Sequence, residues 1–165
     1  MRRTVAALVV IVAIGGAVTA AGAAQTPFDV SELADYQLTA EVFERFVLAT
    51  RGVAAIARDD PAFIYAPLFT KDVALSGDVL AAATALVARV ENHPGLAAAL
   101  DASNITPREY SKFAITLIAA HLVEGFVKAG VMRRVPPGAP SINVEFAKTH
   151  EADVVATLAS LGILD

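Results

Sequence analysis

No cysteine occurs anywhere in the 165-residue chain. This absence excludes disulfide bonds, thiolate metal sites, covalently attached c-type haem and a cysteine nucleophile. It also excludes a bacterial lipoprotein anchor, because that modification needs a cysteine at the cleavage point. A chain of this length can bury enough apolar surface to fold without disulfides, so we expect one domain.

The chain also lacks the short motifs that identify common classes of enzyme. It contains no serine-hydrolase elbow, dinucleotide-binding glycine fingerprint, P-loop, zinc-binding His-Glu-x-x-His sequence or EF-hand loop. No catalytic residue, cofactor or resident metal ion is therefore assigned from the sequence. Whether the protein is an enzyme stays open at this stage.

Charged residues make up only 18% of the chain, whereas 56% of its residues are hydrophobic. This composition excludes intrinsic disorder, which requires low hydrophobicity and high net charge. Without Arg2 and Arg3, the chain has 11 basic and 17 acidic residues, a net charge of −6 with neutral histidines. Since an acidic surface repels phosphate groups, we expect no nucleic-acid partner.

Residues 1–24 have the three-part layout of a secretory signal peptide. Arg2 and Arg3 precede an apolar run over 5–18, and small residues follow, including Ala-Gly-Ala at 21–23. We therefore expect an exported protein, periplasmic or extracellular, from a bacterium. The alternative is an uncleaved membrane anchor, because the uncharged stretch after Arg3 is long enough to span a bilayer. Only in that case would the protein contact a membrane.

The remainder of the chain predicts an all-α fold, a compact bundle of four main helices with one short extra helix. Residues 25–38 are interpreted as an irregular lead-in and residues 39–165 as a single helical domain. No strand-like alternation of polar and apolar residues occurs. Apolar periodicity, caps and helix-stopping prolines predict helices over 39–59, 78–91, 94–101, 106–130 and 143–161.

The predicted helix over 106–130 has the clearest local signals. Thr106 is placed to cap it, Pro107 occupies the first helical position and Glu109 the third, which is the pattern of a capping box. Apolar side chains then occur on nearly every side of this helix. A helix that is apolar all round is buried, so we expect it at the centre of the bundle.

An aromatic segment separates the first two main helices. It contains Phe63, Tyr65 and Phe69, and Pro61 and Pro67 prevent it from forming a long helix. One interpretation is an exposed apolar binding loop. The other is a connector that folds down over the core, where most large apolar side chains are found.

Four polar side chains form a candidate cluster on the last two long helices. His121 and Glu124 share one stripe of the 106–130 helix, Glu151 lies inside the apolar stripe of the last helix, and His150 lies at the edge of that stripe. If these helices pack antiparallel, the two pairs lie at the same height. We therefore predict at least one carboxylate–imidazole contact between these helices, with Glu124 and His150 as the favoured pair. It would belong either to a structural ion pair or to a His/carboxylate site for a metal ion or acid–base chemistry.

Two main classes of function fit these observations, and a third, a purely structural or stress-related helical protein, differs from the first only by lacking a partner. The first is a non-enzymatic envelope protein that binds a partner protein or an apolar ligand in a groove between helices. The second is a metal- or cofactor-dependent enzyme that uses the His/Glu cluster. No motif specifies the oligomeric state.

Cleavage of the signal peptide can be tested directly. Protein recovered from outside the cytoplasm should have lost its first 23 or 24 residues, because the small side chains before Ala24 and Gln25 suit signal peptidase. Intact-mass spectrometry measures the loss. A full-length mass in the membrane fraction would instead establish the uncleaved anchor.

Overall fold

The computed structural model describes residues 28–59, 79–136 and 139–162. In these ranges the backbone forms seven helices and no strand, so the all-α prediction is confirmed for the described residues. The predicted signal peptide and the aromatic segment with Phe63, Tyr65 and Phe69 lie outside them. The helices are α1 (Val30–Ala34), α2 (Ala40–Asp59), α3 (Val79–Glu91), α4 (Pro94–Ala102), α5 (Pro107–Lys128), α6 (Ser141–Thr149) and α7 (Glu151–Ser160).

Helix α5 is the centre of the fold, as its apolar pattern predicts. It packs against each of the other described helices. Tyr110, Phe113 and Leu117 on α5 have no solvent exposure. Within the described residues, α5 is also the one helix long and apolar enough to span a bilayer. The other described helices pack around α5, so its apolar side chains contribute to the protein core.

Burial along α5 decreases toward its C-terminal end. The side chains of Leu122 and Phe126 are 41% and 43% exposed, whereas Ala120 is buried. Full burial, which the sequence pattern predicts for the whole helix, is therefore reached only along its first part. The polar residues predicted to form a cluster lie near the exposed end.

The N-terminal cap of α5 forms only in part as predicted. The Thr106 hydroxyl accepts a hydrogen bond from the backbone N–H of Glu109 at 3.1 Å. The Glu109 carboxylate does not return to the backbone of Thr106 but accepts a hydrogen bond from the Tyr36 hydroxyl at 2.5 Å. Glu109 therefore links α5 to the segment before α2, and burial together with this bond raises the pKa of Tyr36.

The lead-in contains the short helix α1, which the sequence analysis leaves out. Asp29 and Glu32 form a reciprocal capping box around its first turn. Glu32 is paired with Arg108 of α5, with 3.1 Å between Oε2 and Nε, and the Arg108 guanidinium lies 4.3 Å from the centre of the Phe28 ring. Since Phe28 is itself buried, the folded unit reaches back at least to this residue.

The amide of Asn143 fixes the end of the lead-in against α6. Its side chain is 1% exposed. Its Oδ1 accepts a hydrogen bond from the backbone N–H of Leu38 at 2.9 Å, and its Nδ2 donates to the Tyr36 carbonyl at 2.8 Å. These bonds satisfy backbone groups that lie next to the start of α2, where an unpaired polar group would be costly.

The last predicted helix, over 143–161, is interrupted at His150. This residue ends α6 and precedes α7, with φ −106° and ψ 22°, well away from α-helical values. Its ring lies 4.4 Å from the ring centre of Phe146 and 5.6 Å from that of Phe43. The interruption changes which residues of α7 face α5, and this alters the predicted polar cluster.

Gly52 allows α2 and α4 to approach closely. A Cβ atom at this position would lie 2.9 Å from the Cβ of Ala99, closer than side-chain carbons approach in proteins. A glycine inside a helix is destabilising by about 1 kcal/mol relative to alanine. Close packing against α4 is the physical reason for a glycine here.

The central position of α5 leads to a stability prediction. Leu117→Ala should lower the free energy of unfolding by about 2–5 kcal/mol, because the parent side chain has no exposure and its loss leaves a cavity. Chemical denaturation of both proteins measures the difference. Leu122→Ala is the matched control on the same helix, and it should cost much less because Leu122 is 41% exposed. Equal costs for the two variants would contradict the assignment of Leu117 to the core.

Candidate functional site

An ion pair joins the end of α5 to the start of α7. The Nζ atom of Lys128 lies 2.5 Å from Oε1 of Glu151, and both side chains are partly exposed. The hydrogen bond from Lys128 lowers the pKa of Glu151, and the same bond raises the pKa of Lys128. Glu151 is the first residue of α7, where the helix dipole also favours a negative charge.

His121 and Glu124 lie close to this ion pair. Positive charge on His121 lowers the pKa of Glu151, and the Glu124 carboxylate raises the pKa of Lys128. Glu124 is buried, at 8% exposure. The Nδ1 atom of His121 is screened from solvent and makes no hydrogen bond within the described residues. Three of the four predicted cluster residues therefore lie near one another, with Lys128 among them.

His150 is separate from this group, and the predicted contact between Glu124 and His150 is wrong. No hydrogen bond or ion pair joins these two side chains in the part of the chain that the structure describes. The prediction assumed one continuous helix over 143–161. Because the helix is interrupted at His150, the imidazole packs on Phe43 and Phe146 instead.

The described residues do not form a recognisable metal site. Within them, no group of three or more histidine, aspartate or glutamate side chains converges closely enough to hold a metal ion. Glu151 is also 45% exposed, so its predicted place in the buried stripe of the last helix is wrong. The geometry of these residues therefore gives the metal-dependent enzyme hypothesis no support.

A groove between α2 and α7, here called the α2–α7 groove, is a candidate binding site that the sequence analysis does not locate. It has a volume of about 640 Å³ and opens to solvent. Its apolar part is formed by Phe43, Val47 and Leu48 of α2 and by Ala156 of α7. The groove follows α2 from Ala40 to Arg51, a length of about 16 Å at the rise of an α-helix.

Charged side chains line the rim of the α2–α7 groove. Glu44 and Arg51 belong to α2 and Asp153 to α7. None of these three side chains has a hydrogen-bond or ion-pair partner among the described residues. His150 also lines the groove, and its ring lies 5.6 Å from the ring centre of Phe43. The site thus combines an apolar floor with charges of both signs that are available for a ligand.

Comparison of the chain with protein-family models, with curated proteins and with solved structures finds no match.

The Lys128–Glu151 pair predicts a specific dependence of stability on pH. The pKa of Glu151 is lowered on folding, so its contribution is full above the ordinary glutamate value of about 4.3 and is lost as pH falls below it. The pKa of Lys128 is raised, so its contribution is full below the ordinary lysine value of about 10.4 and is lost as pH rises above it. The pair should stabilise the protein between these two limits.

A double-mutant cycle with Lys128→Gln and Glu151→Gln measures this contribution. The coupling should be small because both groups are exposed. It should be weaker at pH 3 than at pH 7, because Glu151 becomes protonated as pH falls, and it should largely vanish in 1 M salt. Glu145→Gln is the control, because Glu145 pairs with Lys148 within α6 only. A coupling unchanged between pH 7 and pH 3 would show that the ion pair is not its source.

Proposed function

We propose that the chain is an exported, non-enzymatic helical protein that binds an amphipathic helix of a partner protein in the α2–α7 groove. The observation that supports this proposal is the groove itself, an elongated apolar surface bordered by charges of both signs that have no partner among the described residues. Binding of an amphipathic helix in an apolar groove is a common mode of recognition, in which side chains spaced by three or four residues anchor the ligand.

The dimensions of the groove suit a helix of a few turns. Its length of about 16 Å corresponds to three turns of a partner helix. Leu48 is 54% exposed and belongs to the groove, so a partner would cover a large apolar side chain that now faces water.

The charges of the rim indicate which partner residues would be favourable. Glu44 and Asp153 favour a basic residue near one part of the bound helix, and Arg51 favours an acidic residue about two turns away. A partner with this order of charges would be preferred over one with the reverse order. The net negative charge of the chain and the lack of a run of basic residues in its sequence support a protein partner over a nucleic acid.

The proposal also includes the location of the protein and the arrangement of its helices. The signal-like segment over 1–24 supports a location outside the cytoplasm, in a bacterial envelope or beyond it. We also retain the bundle of four main helices, in which α2, α3, α5 and the interrupted pair α6–α7 are the main elements and α4 is the short extra one, while α1 adds a further short helix in the lead-in.

Photo-crosslinking from the groove tests this function. The purified protein carries p-benzoylphenylalanine in place of Leu48 and is irradiated in an envelope extract. The matched control carries the same group in place of Ile142, which is 55% exposed on α6 and outside the groove. Position 48 should give protein adducts whose crosslinked peptide has the apolar spacing of an amphipathic helix, and position 142 should not.

Charge variants then test whether the groove is responsible. Arg51→Glu and Asp153→Lys should each lower the adduct yield from position 48 by about 1.5- to fivefold, the range for a partly exposed ion pair. Lys148→Glu, on α6 and outside the groove, should leave the yield unchanged. Equal adducts at positions 48 and 142, or adducts with lipid alone, would overturn the proposal of a partner helix.

A further inference from the structure

A second and smaller pocket, which also opens to solvent, lies between α1, α5 and α6 and is here called the α1–α5–α6 pocket. Its volume is about 310 Å³. Apolar side chains dominate its described lining, among them Leu33 of α1, Ile115 and Val123 of α5, and Val144 of α6. No charged side chain lines it within the described residues, and the only polar ones there are Thr116 and Asn143.

The two polar side chains of this pocket differ in how they are satisfied. The Asn143 amide uses both its oxygen and its nitrogen in hydrogen bonds to the backbone of the lead-in. The hydroxyl of Thr116 is screened from solvent and has no hydrogen-bond partner within the described residues, although the residue is only 8% exposed. A buried hydroxyl without a partner costs about 1–3 kcal/mol, so its presence needs an explanation.

Other helical hydroxyls in the protein form hydrogen bonds within their own helix, whereas the Thr116 hydroxyl does not. Ser111, Thr84 and Thr157 each donate a hydrogen bond to the carbonyl four residues earlier, at 2.8, 2.9 and 2.7 Å. Thr116 lies on the same helix as Ser111 but makes no such bond to the carbonyl of Lys112. Since no described residue bonds to it, the Thr116 hydroxyl remains available to form a hydrogen bond with another group.

We propose that the α1–α5–α6 pocket binds a small uncharged apolar molecule with one hydroxyl or carbonyl group, and that the Thr116 hydroxyl hydrogen-bonds that group. Rotation about the Cα–Cβ bond exchanges the hydroxyl and methyl positions of Thr116, so the hydroxyl can turn toward a bound molecule. The apolar lining disfavours an ion, because a charge placed there would have no partner.

The size of the pocket agrees with this class of ligand. An apolar cavity of about 150 Å³ is enough to bind benzene, and ordinary ligand pockets begin at about 300 Å³. A volume of about 310 Å³ therefore accommodates a molecule of one or two rings or a short branched chain. This inference is independent of the α2–α7 groove, which shares no lining residue with the pocket.

Titration with 2-naphthol and with naphthalene, followed by fluorescence, tests the proposal. The two probes have the same ring system and differ by one hydroxyl. The parent protein should bind both, and 2-naphthol should bind about two- to tenfold more tightly, the value of one neutral hydrogen bond. Thr116→Val should bind the two probes equally, whereas Thr116→Ser should keep the preference for 2-naphthol.

Further variants identify the site and monitor folding. Ala120→Phe, which places a large side chain in the pocket lining, should abolish binding of both probes, and Leu48→Glu in the groove should change neither. Thr116→Val should unfold at the same temperature as the parent or higher, because it removes an unpaired hydroxyl. Absence of binding to the parent, a preference that persists in Thr116→Val, or loss of binding in Leu48→Glu would each overturn the proposal.

Discussion

Burial of α5 is the constraint on which the rest of the structure depends. A helix that is apolar on nearly all sides cannot be covered by one neighbour, so every other described helix packs against it. The coverage is complete around Phe113 and Leu117 and incomplete near Phe126. Lys128 follows this gradient, because it occurs where water and its ion-pair partner Glu151 on α7 are accessible, whereas Glu124, one turn earlier, is still buried.

The N-terminal end of α5 organises the start of the described chain. Arg108 and Glu109 occupy its first turn, and their side chains bind Glu32 and Tyr36 of the lead-in. Asn143 completes this arrangement from α6 by satisfying the backbone around Tyr36. A segment with little apolar periodicity of its own is thus ordered by polar contacts with elements more than 70 residues away in the sequence.

The sequence predicts those parts of the fold that depend on local pattern. The boundaries of α2 and α4, the Thr106 cap and the central place of α5 follow from periodicity, proline positions and capping residues. The interruption at His150 has no such signal in the local pattern, and the packing of His150 on Phe43 joins residues that are distant in the sequence. The groove and the unpaired hydroxyl of Thr116 are likewise products of tertiary packing, which a one-dimensional pattern does not contain.

The close approach at Gly52 has a consequence for the opposite side of α2. Nine residues separate Gly52 from Phe43, so at 100° per residue the two project from opposite flanks of the helix. One flank packs on Ala99 of α4, and the other forms a wall of the α2–α7 groove. The absence of a side chain at position 52 therefore determines how closely α2 approaches α4. A side chain at position 52 would require α2 and α4 to move apart. If α2 moves, it moves toward α7, and the α2–α7 groove becomes narrower although the new side chain does not line it.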